Sequence, residues 1–423
     1  MTAPRNAGGE LLEPGRALSH EFHVAAPGEA WVALTLFAPG TSWERGDAAV
    51  VALEMDGETQ HLVVAADEPV AYARILGRLE AGPHRLSLHL DTSLSAASAR
   101  AVECRAIEVR AVADGDGAAF VWRHAPVLHY RTLDSPLDGA FTDTPLLLFY
   151  RPVETSEGRG IEYHVINSHE DAGTDLAHLL ACWGHTTDIE WIFRVVRDRR
   201  GRIVREEFQG PEHATLPFRG ARALGGHPVL QAATRNGMVT DRATSPYRAA
   251  LAPVAAQPPG EPREGVQYRF PWIHRVSALE VARHEAARAA GEPLAPGGAA
   301  PVDPRAYVYV QCKRDADAAV PALEALIRIS GAWHGSAGGR PEFAMQGDDA
   351  ECTAIRLPAG ARDTDVEAIA IRAIDQPPRD AMVRFVRAFC LDERGRPQAP
   401  FAAAAAGTLS AAAPEATVWR RTR

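Results

Sequence analysis

The chain has 423 residues, 46% of them hydrophobic and 23% charged, with 45 Lys+Arg against 54 Asp+Glu and a net charge of -9. That length allows two to four domains and a sizeable core, and the composition excludes a wholly disordered chain. The acidic balance excludes a broad phosphate-binding surface, so no nucleic-acid partner is expected.

Lys313 is the one lysine among 45 basic residues. This bias toward Arg, with abundant Ala, Gly and Pro, is expected of a GC-rich bacterial coding sequence. The five cysteines, Cys104, Cys182, Cys312, Cys352 and Cys390, lie far apart and show no Cys-x-x-Cys spacing. Most of them are expected to be buried small side chains, forming neither a disulfide framework nor a zinc ribbon. Met1–His20 carries no apolar signal region, and no run of 18 apolar residues occurs, so no membrane partner and a cytoplasmic location are expected.

In chain order, residues 1–17 read as a flexible N-terminus. From 18 to 113, short strands cut by turns predict a β-sandwich. Leu86, Leu88 and Leu90 alternate with Arg85, Ser87 and His89, a half-buried strand. The apolar parity changes within 101–112, which predicts a β-bulge near Ala106. The Asp/Gly-rich stretch 113–117 is a predicted linker. A larger β-sandwich-type domain with a few inserted helices follows over 118–400, and 401–423 forms a C-terminal tail. One helix is expected at 175–183, with Thr174 as cap, a buried stripe of Leu176, Leu179, Leu180 and Trp183, and Gly184 as stop. His178 and Cys182 then fall opposite that stripe. Residues 251–266 read as a surface loop. A helix over 278–290 is expected to start on a Ser277/Glu280 capping box, and a second helix is expected over 321–329. Strands are expected at 306–312, 366–374 and 382–391.

The chemistry-bearing residues concentrate in the middle. Eight of the 16 histidines fall between His124 and His227. In 187–196, period two puts Ile189, Trp191, Phe193 and Val195 on one face and Asp188, Glu190 and Arg194 on the other, with the two carboxylates about 7 Å apart. If 161–167 is the neighbouring strand, His164 and Glu190 line one cleft. Imidazole and carboxylate together suit a divalent metal ion, with His164, Asp188 and His227 as ligands. Glu190 and His213 are then the candidate catalytic acid–base groups. The competing reading is a solvated sheet face with ion pairs to Arg194 or Arg123. His227 precedes Pro228, which holds it extended at a strand start.

The order Asp188-x-Glu190, His213, then His227-Pro228 and a strand resembles the vacuolar protein sorting-associated 62 family, over about 50 residues. Where that family has Asp-Trp-Glu-His, this chain has Asp188-Ile189-Glu190-Trp191. The resemblance implies a β-rich domain with a polar site and supplies no activity.

The leading functional expectation is a metal-assisted hydrolase or lyase acting on a small molecule or glycan. One alternative is a non-catalytic carbohydrate- or ligand-binding β-sandwich protein, with Trp31, Trp43 and Trp122 as sugar platforms or as core. Another is a cofactor-free cyclase or isomerase of secondary metabolism.

Overall fold

A computed structural model describes residues 5–132, 144–170, 175–290, 302–314, 322–345, 352–374 and 381–422. The chain is mostly β, built of several largely antiparallel sheets. It divides into two compact units. One comprises Met1–Ala172 with Thr187–Ala256, the other Gly173–Thr186 with Gln257–Arg423. The capping residue expected at Thr174 lies outside the described residues.

The first unit opens with eight strands: β1 Arg5–Leu12, β2 Ala17–Val24, β3 Gly28–Phe37, β4 Ala49–Met55, β5 Glu58–Val64, β6 Val70–Leu79, β7 Gly82–Leu90 and β8 Val102–Ala113. They pair as two antiparallel sheets, β1-β8-β3-β6 and β2-β7-β4-β5. That strand order is a jelly roll. Residues 5–12, read as part of a flexible terminus, pair instead with β8. Leu86, Leu88 and Leu90 are buried as their alternation requires. The bulge falls at Arg105: Thr35 faces Ala106, and the next residue, Leu36, faces Cys104.

A short helix, α1 (Ala119–Arg123), leads to β9 Val127–His129, β10 Pro145–Thr155 and β11 Gly158–Asn167. After helix α2 (Leu176–Trp183) come β12 Asp188–Arg197, β13 Ile203–Gln209, β14 Thr215–Pro217, β15 Arg222–Ala223 and β16 His227–Ala232. Then follow β17 Val239–Thr240, β18 Arg248–Ala249 and β19 Pro253–Ala256. A six-stranded sheet runs β14-β13-β12-β11-β10-β19, and a smaller one runs β15-β16-β9-β18, with β17 on β16. Trp31 and Ile75 from the jelly roll share one core with Val127, Tyr163, Val165, Phe193, Val195 and Leu230. Trp43 is buried too, and Trp31 stacks on Trp122 with centroids 5.2 Å apart. Trp31 and Trp43 are core, and Trp122 is half-buried against the same core as Trp31.

In the second unit, α2 begins on Asp175, whose carboxylate accepts from the Ala177 and His178 amides, and ends on Gly184 at φ 61°. Cys182, expected on an exposed face, is buried and donates to the Glu342 carbonyl, and His178 stacks on Phe343. All five cysteines are buried. Helices α3 (Glu264–Tyr268) and α4 (Pro271–Ala289) follow. Helix α4 starts six residues before Ser277, with Pro271 in its first turn, so Ser277 and Glu280 are interior. Ser277 Oγ lies 2.6 Å from Thr186 Oγ1, and Glu280 pairs with Arg283. The expected surface loop at 251–266 instead carries β19 and the start of α3, with Glu264 and Val266 buried.

The last strands are β20 Tyr307–Arg314, β21 Leu323–Ile329, β22 Ala332–Gly335, β23 Cys352–Arg356, β24 Val366–Ala373, β25 Ala381–Phe389, β26 Ala402–Leu409 and β27 Glu415–Arg420. They form sheets β23-β20-β25-β26 and β22-β21-β24-β27 around one core. The helix expected over 321–329 is the strand β21. Leu323, Ala325, Ile327 and Ile329 bury one face at period two, and Ser330-Gly331, both at positive φ, close a two-residue hairpin. The expected tail contributes β26 and β27. Among the described residues no helix is long and apolar enough to cross a membrane.

Candidate functional site

The strands carrying the candidate residues are neighbours, but a bulge rearranges their faces. β11 and β12 are antiparallel: Tyr163 faces Phe193, His164 faces Trp191, Val165 faces Glu190 and Asn167 faces Asp188. Ile192 is therefore an extra residue on β12. Directly opposed residues share a face, so Trp191 joins His164, while Glu190 and Asp188 join Val165 and Asn167. His164 and Glu190 lie on opposite faces of the sheet and line no common cleft. The four apolar residues of 189–195 are split in the same way, and Arg194 lies over the Trp191 ring, 4.7 Å from its centroid.

The His164 face is a buried charge network. Glu162, 1% exposed, accepts from Arg151 Nε at 2.6 Å, Arg194 Nε at 2.7 Å and His164 Nε2 at 2.9 Å. Arg194 also reaches Glu207 at 2.6 Å, and the His164 ring stacks on Phe149. Burial opposes ionisation of Glu162. The hydrogen bond from His164 and the charges of His164, Arg151 and Arg194 outweigh it and hold the carboxyl far below the usual range.

His227, the third expected metal ligand, is buried elsewhere in the unit. Its Nδ1 lies 2.8 Å from the Ala125 carbonyl and its Nε2 3.0 Å from the Glu29 carboxylate, which Arg123 flanks at 3.6 Å. Both ring nitrogens are thus engaged by protein partners. His124 caps α1 nearby, and burial pushes its pKa down to about 4. Among the described residues no three His, Cys, Asp or Glu side chains are grouped to hold a metal ion. The expected set His164, Asp188 and His227 is not gathered.

A different set converges. Asn167 ends β11, Asp188 opens β12 and Gln209 ends β13, so antiparallel pairing brings all three to one end of the sheet. Asn167 donates to the 1%-exposed Asp188 carboxylate at 3.0 Å. The Asn236-Gly237 turn covers this pair. Gly237 has φ +67°, and a Cβ there would stand 2.1 Å from Asp188 Oδ2, an approach only glycine permits. The buried Gln209 amide nitrogen donates to the half-buried Glu190 carboxylate and lies 3.2 Å from His213 Nδ1 and 3.1 Å from Met238 Sδ. Since the amide can only donate, His213 Nδ1 accepts, and the proton of the neutral ring sits on Nε2. His213 is exposed, in the turn Pro211–His213 that follows β13.

The turn is strained. Glu212 and His213 both have positive φ, 61° and 57°, a conformation that costs a non-glycine residue roughly 1 kcal/mol or more. The two expected acid–base residues, Glu190 and His213, are thus joined through Gln209, and Asp188 belongs to the same strand end. Gln209 and Gly237 carry no site signal in the sequence. The Asn-Gly dipeptide at 236–237 marks a tight turn, but nothing in the sequence tells which strands it covers.

No family model matches the chain, and no curated protein matches it. Solved structures give distant likenesses. The C-terminal domain of EclA, a sugar-binding protein, aligns over 25% of this chain and 79% of its own at 17% identity and TM-score 0.19. A GH2 β-galacturonidase from Eisenbergiella tayi aligns over 37% of this chain and 22% of its own at 12% identity and TM-score 0.16. DesR, a β-glucosidase from Streptomyces venezuelae, aligns over 97% of this chain and 47% of its own at 13% identity and TM-score 0.18. This chain therefore spans less than half the length of either glycosidase. At these TM-scores the function rests on the chain's own residues.

Proposed function

We propose that the strand-end cluster of Asp188, Glu190, Gln209 and His213 binds a hydroxyl-rich small molecule or glycan and acts on it as a hydrolase. Carboxylates and amides at one sheet end match the paired donors and acceptors of vicinal hydroxyls. The observation that carries the reading is the consecutive positive φ at Glu212 and His213, which holds the imidazole against Gln209. Backbone strain of this kind concentrates at working sites. In the hydrolytic step the Glu190 carboxylate takes a proton from water, whose oxygen bonds to the sugar carbon. The glycosidic C–O bond breaks, and the leaving oxygen takes the proton that Glu190 has accepted from water, while His213 Nε2–H donates a hydrogen bond to it. Asp188, buried beneath the Asn236-Gly237 turn and held by Asn167, fixes the strand end from which Glu190 projects.

A non-catalytic glycan-binding role is the second reading. The jelly-roll strand order, which lectin domains also use, favours it by analogy. Release of reducing ends from a panel of neutral and acidic oligosaccharides, with Glu190→Gln and His213→Asn beside the parent, separates the two. Turnover lost in both variants supports the hydrolase. Binding without turnover supports the second reading. Neither binding nor turnover across the panel contradicts both.

A further inference from the structure

We propose that the jelly roll carries a second binding site, a cleft between its two sheets that takes a small, largely apolar molecule bearing one hydroxyl or N–H donor. The cleft has a volume of about 220 Å³, and its walls are Leu53, Met55, Leu76, Leu79 and Leu86. Gln60 lines it as well. β5 and β6 are the end strands of the two sheets on this side, and Leu224 and Gly225 line the cleft beside them.

Gln60 points to the ligand. It is 4% exposed, and its amide nitrogen donates to the Ile75 carbonyl at 2.6 Å. That bond fixes the side chain. The carbonyl oxygen Oε1 is buried with no hydrogen-bond partner among the described residues. A buried acceptor left unmade is costly, and a ligand donor reaching Oε1 relieves that cost. With leucines on both sides and Asp56, Glu58 and Arg78 also in the lining, the part of the ligand between the leucines must be apolar.

The backbone around the cleft has the same character as the strand-end site. Leu224 and Asp56, both lining it, have positive φ, 49° and 52°. Leu224 is held there by its carbonyl, which accepts from the Arg78 amide at 3.1 Å. The fit depends on Gly77, where a Cβ would stand 2.5 Å from the Leu224 oxygen. The 223–226 turn therefore forms a fixed wall. Of the charged groups lining the cleft, Arg78 is paired with Asp114 and Glu58 with Arg248, and Asp56 lies in the hairpin turn between β4 and β5.

The test uses the full chain with two probes of nearly equal shape, cyclohexanol and its methyl ether, which lacks the O–H. Dissociation constants come from ligand-observed NMR. The parent protein should bind cyclohexanol at least tenfold more tightly than the ether. Gln60→Met should remove that preference, and Leu79→Phe, which fills the cleft, should abolish binding of both. If Gln60→Met does not fold, the two-probe comparison in the parent and Leu79→Phe decides alone. Equal binding of the two probes by the parent, binding of neither, or binding that survives Leu79→Phe overturns the proposal.

Discussion

The His213 imidazole accepts from the Gln209 side-chain amide across 3.2 Å, while its own backbone sits at φ 57°. The contact couples an exposed, strained turn to a buried strand end, and through the same amide to Glu190. Replacing Gln209 by Leu keeps the volume but removes the donor. Turnover, or glycan affinity if the site only binds, should fall at least tenfold while the urea midpoint moves little, because leucine fills the same buried position. Unchanged function in this variant would separate His213 from Glu190 and dissolve the site.

Gly237→Ala should damage the same site from the other side. The added Cβ meets Asp188 Oδ2 and the Asn167 amide, and the left-handed backbone disfavours any side chain. Thermal melting should show destabilisation of roughly 1–3 kcal/mol, with loss of function beyond what the melting shift explains. Alanine tolerated without effect would mean that the turn does not press on Asp188.

The Glu162 network predicts acid sensitivity. Its carboxyl is held below its unfolded value by His164, Arg151 and Arg194 in spite of burial. A depressed carboxyl stabilises the folded state above its unfolded pKa of about 4.3, and that contribution is lost as pH falls toward the folded value. Glu162→Gln should cost about 3–5 kcal/mol at neutral pH by leaving buried cations uncompensated. It should also flatten the pH dependence of the urea midpoint below about pH 4.3. A parent-like acid slope in the variant would contradict the assignment.

His274 predicts a second pH effect, in the other unit. Burial, with a smaller contribution from His185, pushes its pKa down to about 3, and its Nε2 is buried without a hydrogen bond among the described residues. The unfolded state binds the proton first, so stability is full above pH ~6.5 and falls as pH drops toward the folded value. The total loss is on the order of a few kcal/mol. His274→Phe, facing the rings of Tyr309 and Phe389, should remove that slope between pH 6 and 4. A slope that persists in calorimetric scans assigns the effect elsewhere.

Arg74 is 1% exposed and donates to the Ala73 carbonyl, with no carboxylate partner among the described residues. Burial pushes its pKa down. Register places it opposite Val32, on the inner face of the jelly roll. Arg74→Met should therefore stabilise the fold, by about 1–4 kcal/mol in urea unfolding. Destabilisation would mean that the guanidinium is compensated.

Much of the fold was legible because its signals are local. The 86–90 alternation, the α2 stripe and its glycine stop all report the burial of neighbouring side chains. The 321–329 segment misled because Leu and Ala favour helix in isolation, whereas pairing with β22 and β24 made it a strand. The site was half legible. Glu190 and His213 were singled out, but the extra residue at Ile192 carries no sequence mark, and it alone moved Trp191 to the His164 face. Gln209 is an ordinary residue until pairing brings β12 and β13 together.

The central claim is that Asp188, Glu190, Gln209 and His213 form one ligand site. Imidazole ¹⁵N NMR of the parent protein, titrated with the tightest-binding oligosaccharide of the panel, tests it most directly. The account predicts that His213 Nε2 shifts with saturation while Nδ1 keeps its acceptor signature, and that His227, buried on Glu29, does not move. Saturable binding that leaves His213 unshifted would contradict it.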